Sequence, residues 1–146
     1  MAIFGAGSKW DDDKELKERF FDEEKFILGW NEKSAKDLYE AVSHLKVGDI
    51  IYLKANRPGS RNIRVKGIGV VTKSVIQCIN DKEYGNKEVS DWNSLFVKIR
   101  WVCKDEFHIN IPDNEGKLTN VRAATFYEEY LPFVQSKILD KIITIK

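Results

Sequence analysis

The sequence predicts an α+β domain in which helices pack around a mixed, mainly antiparallel β-barrel. Three observations indicate this class: short strand patterns outnumber helical ones, strands and helices do not alternate in a β-α-β rhythm, and the predicted helices precede and follow the strands. The chain has 146 residues, of which 42% are apolar. This length fits one domain with a core of its own, so we expect a single domain spanning residues 1–146.

The N-terminal part is predicted to contain one strand and two helices. Residues 2–8 are typical of a short strand that ends in small residues. Acidic residues at 11–13 predict the start of a helix, because carboxylates favour a helix N-terminus. After an apolar run ending in the turn Gly29-Trp30, the capping box Ser34-x-x-Asp37 predicts a second helix.

The middle of the chain is predicted to be mainly β-structure. Residues 50–54 and 63–72 form two strands, and alternation places Val65 and Lys66 on opposite faces of the second. Residues 95–102 and 107–111 alternate as well, so Lys104-Asp105 is predicted to close a hairpin.

The C-terminal part is predicted to be helical with a closing strand. Thr125-x-x-Glu128 matches a capping box and predicts the start of a helix. The side chains expected to face inward from it are Tyr130, Leu131, Val134 and Ile138. Residues 142–145 are predicted to add an edge strand.

Positive charge is concentrated in one stretch of a chain whose net charge is only +1. Residues 54–73 hold six cationic side chains and no Asp or Glu; the six are Lys54, Arg57, Arg61, Arg64, Lys66 and Lys73. Such a cluster favours a surface that follows phosphates. Solvated charge on an exposed loop explains it equally well, so the charge alone leaves both interpretations open.

Four residues are candidate metal ligands, and their spacing does not favour a site. Cys78 and Cys103 lack CxxC spacing, and only His44 and His108 could join them. We therefore expect buried free thiols and no metal or other cofactor. Residues 1–7 are too short for a signal peptide, and no apolar run approaches the roughly 18–20 residues that cross a membrane. A cytoplasmic protein is expected.

Several short motifs resemble the PUA-like superfold, and within it the EVE and YTH-like group. They are the turn Gly29-Trp30, the segment Lys46-Val-Gly-Asp-Ile-Ile-Tyr-Leu53, the segment Gly67-Ile-Gly-Val-Val71 and the segment Val97-Lys-Ile-Arg-Trp-Val102. The resemblance covers most of residues 26–140. It implies a β-barrel that accepts a modified or flipped base in an aromatic pocket with a basic rim.

Carried onto this sequence, the resemblance implies two sets of site residues. The base or ligand pocket would consist of Ser8, Trp10, Trp30, Asn31 and Trp92, with Trp30 as a stacking wall. The phosphate-binding rim would consist of Lys54, Asn56, Arg57, Arg61 and Arg64. Trp101, which lies on the apolar face of a predicted strand, is expected in the core.

These observations favour a binding module over an enzyme, because no nucleophile with a base, carboxylate pair or metal cluster is evident. We expect a nucleic-acid-binding reader of a modified base, with DNA or RNA as its partner, no membrane, and an effector protein in a defence system as a further partner. Two alternatives stay open: a pocket for a nucleotide-like ligand or a protein, and a small hydrolase that uses Asp49 or His108.

Overall fold

The computed structural model describes residues 1–10, 14–29, 35–55, 60–85, 95–115 and 125–144. Within these ranges the chain forms nine strands and four helices, which confirms the mixed α+β class. The strands are β1 (Ile3–Ala6), β2 (Lys9–Trp10), β3 (Lys14–Glu15), β4 (Lys25–Ile27), β5 (Ile50–Ala55), β6 (Asn62–Lys73), β7 (Phe96–Cys103), β8 (Phe107–Asn110) and β9 (Phe126–Glu128). The helices are α1 (Lys17–Glu23), α2 (Lys36–Ser43), α3 (Val75–Asn80) and α4 (Pro132–Thr144).

Seven of these strands form one sheet, which is mainly antiparallel as predicted. Its order is β4-β7-β6-β5-β1-β9, and β8 pairs with β6 as well. Strands β2 and β3 form a separate two-stranded ribbon. Among the pairs that the structure describes, only β1 and β5 run parallel, and the chain between them contains α1, β4 and α2.

The sheet curls so that its two end strands approach each other across the interior. The rings of Phe26 in β4 and Phe126 in β9 stack with their centroids 5.7 Å apart, although these strands lie at opposite ends of the sheet. Within the described ranges no backbone pairing joins β4 to β9. The described sheet is therefore a curled half-barrel.

Helices cover both faces of this sheet. Inside the curl, α1, α2 and α3 contribute Phe20, Val42 and Cys78 to a core cluster that also contains Phe26 and Phe126. On the opposite face, α4 contributes Val134 and Ile138 to a second cluster with residues of β5, β6 and β8. Burying a side chain of this size stabilises the fold by about 1.5–3 kcal/mol, so α4 is held mainly by its apolar face.

The first helix begins later than the sequence predicts. Lys14 and Glu15 pair with Trp10 and Lys9 in the β2–β3 ribbon, and α1 begins at Lys17. The carboxylate of Glu15 accepts hydrogen bonds from the N–H groups of Leu16 and Lys17, at 3.0 and 3.3 Å. An acidic residue therefore does complement this helix start, but from the end of a strand. The residues at 11–13 lie outside the described part of the chain.

The predicted hairpin at Lys104-Asp105 is wrong. Strand β8 does not fold back on β7; it pairs with Asn62–Val65 of β6, while β7 pairs with the later part of β6 from Ile68 onward. Because β6 spans 12 residues, one long strand accommodates both partners end to end. Alternation along β7 and β8 was recognised correctly, but the pattern does not reveal which neighbour a strand pairs with.

The predicted C-terminal capping box is also wrong. Thr125-x-x-Glu128 does not cap a helix, because Phe126–Glu128 pairs with β1 as strand β9. Helix α4 begins at Pro132, whose missing N–H is tolerated in a first turn. Tyr130 is exposed instead of facing inward, and the helix continues to Thr144 where an edge strand was predicted.

Helix α3 was missed, although its capping box is present in the sequence. The Ser74 hydroxyl accepts a hydrogen bond from the Gln77 N–H at 3.3 Å, and the Gln77 side-chain oxygen accepts one from the Ser74 N–H at 2.8 Å. Cys78 from this helix and Cys103 from β7 are buried free thiols, as predicted. None of the described helices is long and apolar enough to cross a membrane.

A buried polar network lies on the face of the sheet that α4 covers. The hydroxyl groups of Tyr52 and Tyr127 are 2.7 Å apart, and Tyr52 donates a hydrogen bond to the carboxylate of Glu129 at 2.8 Å. The ammonium group of Lys54 lies 5.3 Å from the centre of the Tyr127 ring. Burial, together with the nearby charge of Lys66, lowers the pKa of Lys54 to about 8.

Replacing Gly5 by Ala tests the packing of this network. A methyl group at Gly5 would overlap the ring of Tyr127, whereas one at Gly7 would meet only the Thr125 carbonyl oxygen at 3.8 Å. We expect Gly5→Ala to lower the free energy of unfolding by about 2 kcal/mol or more, measured by urea unfolding. Gly7→Ala is the matched control, and equal losses in both variants would contradict the packing described here.

Replacing Lys54 by Met tests the buried charge. Between pH 8 and 10.5 the Lys54 side chain keeps its proton in the unfolded chain and has lost it in the folded protein. The free energy of unfolding of the wild type therefore rises with pH over this range. We expect Lys54→Met to be more stable than wild type by roughly 1–3 kcal/mol at pH 7, and to lose that advantage above about pH 10.5. A pH-independent difference in urea unfolding would show that Lys54 is not desolvated in the folded state.

Candidate functional site

Half of the predicted site residues lie in the described part of the chain. The structure places Ser8, Trp10, Lys54, Arg61 and Arg64. The others lie outside the described residues, and their roles stay predictions; they are Trp30, Asn31, Asn56, Arg57 and Trp92.

Trp10 is brought against the turn that precedes Trp30 in the sequence. Gly29 has a φ of 77°, and a Cβ placed on it would come within 2.5 Å of the Trp10 indole ring. The indole therefore packs directly on the Gly29 backbone, which only glycine permits. The Trp10 ring also meets Phe20 edge to face, with centroids 6.4 Å apart, and is 9% exposed. It supports the backbone at Gly29 from the interior.

Ser8 is fully buried and forms a polar cluster with Glu15 and Lys66, which we name the Lys66 cluster. The Ser8 hydroxyl donates to the Glu15 carboxylate at 2.6 Å and accepts a hydrogen bond from the Lys66 ammonium at 3.2 Å. Lys66 and Glu15 form an ion pair at 2.5 Å. The hydroxyl of Ser8 is thus engaged inside the protein, and contact with a base edge stays a prediction.

A β-bulge at Lys66 shifts the alternation along β6 by one residue. Leu53 pairs with Gly67 and Lys54 pairs with Val65, so Lys66 is the extra residue on β6. Strand residues that face α4 change accordingly from odd positions (Ile63 and Val65) to the even position Ile68. Bulges redirect side chains in this way and often lie beside functional sites.

Sequence reasoning missed Lys66 and Glu15 as site residues. A signal was present for Lys66, since it lies between the apolar residue Val65 and Gly67 in a strand pattern. Lysines are seldom buried without an acidic partner, and that partner comes from β3, a part of the chain that was predicted as helix.

The predicted rim residues Arg61 and Arg64 are paired with acidic side chains. Arg64 donates two hydrogen bonds to Glu106, at 2.8 and 3.1 Å, and Lys17 contacts the same carboxylate at 2.7 Å. These contacts lower the pKa of Glu106 to about 2. Arg61 donates to the Pro112 carbonyl at 2.8 Å and lies 3.2 Å from the Asp113 carboxylate.

The fold therefore neutralises much of the charge that the sequence concentrates between residues 54 and 73. Acidic residues from other segments meet the described cations of this stretch: Lys66 meets Glu15, and Lys73 meets Asp81 and Glu83. Lys54, the remaining described cation, is buried. Exposed ion pairs of this kind are weak, and a phosphate can compete for the arginines.

The residues named for a hydrolase have structural partners. Asp49 accepts hydrogen bonds from the N–H groups of Ala2 and Lys46, at 3.0 and 2.8 Å, and so fixes the turn before β5. His108 is exposed, with its Nδ1 2.8 Å from the side-chain oxygen of Asn62. Among the described residues, no three His, Cys, Asp or Glu side chains are grouped as metal ligands.

A groove of about 610 Å³ lies at the opposite end of β1 from Ser8. Its lining combines the aromatic residues Phe4 and Phe126 with the polar residues His44, Lys46 and Glu128. The rings of Phe4 and Phe126 stack at 5.1 Å. An aromatic surface beside charged groups of both signs has the chemistry of a small-molecule site.

Comparisons with known proteins identify the fold. No family model matches the sequence, and no curated protein matches it. Solved structures do match it. One is the YTH domain of the Zygosaccharomyces rouxii MRB1 protein in complex with N6-methyladenosine RNA, with a TM-score of 0.53 and 18% sequence identity. The match covers 99% of this chain and 88% of that one. The Pho92 YTH domain in complex with m6A has a TM-score of 0.55 and 16% identity, covering 97% and 86% of the two chains. The curled α+β fold of this chain is thus similar to the YTH fold.

Proposed function

We propose that this chain is a nucleic-acid-binding module that reads a modified base, and that RNA carrying N6-methyladenosine is the ligand to test first. The observation that carries the proposal is the likeness to two YTH domains, both solved with m6A, over nearly the whole chain. The packing of Trp10 on Gly29 agrees with it, because it supports the turn at which the sequence places Trp30.

The chemistry of the proposed pocket is stacking on tryptophan. A base offers a flat π-face, and stacking on an aromatic side chain contributes roughly 1–3 kcal/mol. A buried methyl group on the base adds about 0.8 kcal/mol, which corresponds to roughly fourfold in affinity. In this proposal Trp30 and Trp92 are walls of the pocket, Asn31 contacts the base edge, and Trp10 backs the site from within.

In this proposal the rim residues have different roles in phosphate binding. Arg61 and Arg64 are held by Asp113 and Glu106, so they bind phosphate only by exchanging one anion for another. Asn56 and Arg57, which lie between β5 and β6 in the sequence, are proposed as the direct phosphate contacts. Lys54 is proposed to act through its charge beneath them, since it is 7% exposed.

Further parts of the proposal rest on the sequence alone. The motif resemblance to the EVE and YTH-like group supports a closed PUA-like barrel that works beside an effector in defence. The chain length supports one domain spanning residues 1–146, and the sequence pattern supports a cytoplasmic protein. DNA is a second polymer to be tested in place of RNA.

The first experiment compares two short single-stranded RNAs that differ only in one central N6-methyl group, at two salt concentrations, by isothermal titration calorimetry. We expect the methylated RNA to bind at least about fourfold more tightly, with both affinities falling as salt rises. The same titrations with DNA strands of the same sequence show whether the protein prefers RNA or DNA. Equal binding of the methylated and unmethylated strands would overturn the reader proposal, and no binding at low salt would overturn nucleic-acid binding altogether.

Replacing Trp30 tests the stacking wall. Trp30→Ala removes the π-face and is expected to abolish the preference for the methylated RNA, whereas Trp30→Phe, which keeps a ring, retains part of it. Thermal melting followed by circular dichroism should be unchanged in both. Unfolding of Trp30→Ala would instead identify Trp30 as a core residue.

Replacing rim arginines tests whether Arg57 and Arg64 have these different roles in phosphate binding. Arg57→Gln is expected to weaken methylated and unmethylated RNA equally and to reduce the slope of log affinity against log salt by about 0.7. Arg64→Gln should reduce that slope by less, because Glu106 already neutralises the guanidinium. A larger effect of Arg64→Gln would mean that this residue leaves Glu106 and contacts phosphate.

The groove beside Phe4 favours small-ligand binding as a second candidate function. Its aromatic lining and mixed charges suit a planar molecule without net charge better than a polyanion. Adenosine and N6-methyladenosine nucleosides distinguish the sites: binding that is insensitive to salt and is lost in Phe4→Ala, while Trp30→Ala retains it, would place the ligand in the groove.

A further inference from the structure

The Lys66 cluster joins four separate parts of the fold. Ser8 follows β1, Glu15 ends β3 and adjoins the start of α1, and Lys66 lies at the bulge of β6. Glu15 holds this junction, since its carboxylate contacts Ser8, Lys66 and the N–H groups of Leu16 and Lys17. A further backbone hydrogen bond runs from the Leu16 N–H to the Ser8 carbonyl at 2.8 Å.

Charge fixes the geometry at this junction. Lys66 is 3% exposed, and a buried ammonium without an acceptor would be strongly unfavourable. Partial burial raises the pKa of Glu15, but hydrogen bonds from Lys66 and Ser8 outweigh it and keep the pKa below 4.5. Buried ion pairs contribute little net stability compared with apolar packing, whereas they restrict the arrangement of the groups that they join.

The position of Trp10 depends on this junction. Trp10 pairs with Lys14 in the β2–β3 ribbon, and Lys9 pairs with Glu15. The ribbon has only two residues in each described strand, so its own pairing fixes its place weakly. Lys66 ties the Glu15 end of the ribbon to β6 of the large sheet, and the ribbon carries the indole that packs on Gly29.

We propose that Lys66 and Glu15 are positioning residues of the base pocket. Their ion pair fixes the β2–β3 ribbon, and with it Trp10, against the Gly29 turn, so the affinity for a modified base depends on two residues that do not contact it. This inference rests on the proposed function for its effect on binding, but the effect on the position of Trp10 is independent of any ligand.

The variants separate positioning from stability. Lys66→Met removes the ammonium, and the double variant Lys66→Met/Glu15→Leu replaces the ion pair by apolar side chains, which should recover stability lost in the single variant. Glu15→Gln keeps the side-chain shape and removes the negative charge. It takes the place of Lys66→Met in the test if Lys66→Met does not fold. The control is Lys73→Met, which removes an exposed ion pair from the other end of the same strand.

Two measurements are made on each folded variant. Fluorine NMR of fluorotryptophan-labelled protein gives one signal for each of the four tryptophans, and the Trp10 signal is assigned with Trp10→Phe. Calorimetry gives the affinity for the methylated RNA. We expect the Trp10 signal to shift or broaden in the cluster variants and not in Lys73→Met, and the affinity to fall about tenfold in the cluster variants, the double variant included.

The outcomes are distinguishable. An unchanged Trp10 signal in folded Lys66→Met or Glu15→Gln overturns the positioning role, whatever the RNA does. A displaced Trp10 with unchanged RNA affinity overturns the link between the cluster and the pocket. Failure of the wild-type protein to bind methylated RNA overturns the proposed function, and in that case a displaced Trp10 signal still supports the structural role of the ion pair.

Discussion

A column of aromatic rings inside the curled sheet is the interaction on which the rest of the structure depends. It runs from Phe4 through Phe126, Phe26 and Phe20 to Trp10, with successive centroids 5.1, 5.7, 5.7 and 6.4 Å apart. Stacked and edge-to-face pairs of this spacing are favourable beyond the area that they bury. Because the members come from β1, β9, β4, α1 and β2, the column holds both ends of the sheet and the N-terminal ribbon around one interior.

Charge is organised around this interior by pairing across distant segments. The cationic stretch of the sequence contains no acid, yet in the fold Arg64 meets Glu106, Arg61 meets Asp113 and Lys66 meets Glu15. Local charge patterns in the sequence therefore describe a surface incompletely, because a sheet brings together residues that lie far apart in the chain. The same sheet buries Lys54 and Lys66 at the two sides of one bulge.

Sequence reasoning predicted the parts that depend on local pattern. Strands β5, β6 and β7 follow short apolar or alternating runs, and their bounds were predicted to within one or two residues. The errors concern partners: Thr125-x-x-Glu128 satisfies the pattern of a capping box, but pairing with β1 outweighs it. The family resemblance placed Trp10 in the base pocket, and its packing on the Gly29 backbone was not predicted. The bulge at Lys66 interrupts the period of two, so the positions that face α4 change from odd to even at this point, and alternation alone did not predict that change.

The place of β1 between β5 and β9 has a consequence for how the chain folds during synthesis. β1 is made first, but one of its neighbours, β9, is made only after every other strand of the sheet. Until then one edge of β1 has unpaired backbone groups, and an open edge is a template for pairing with other chains. Contacts between such distant segments also slow folding. The nascent chain thus depends on β9 to cover this edge of β1, and translation interrupted before residue 126 leaves that edge open.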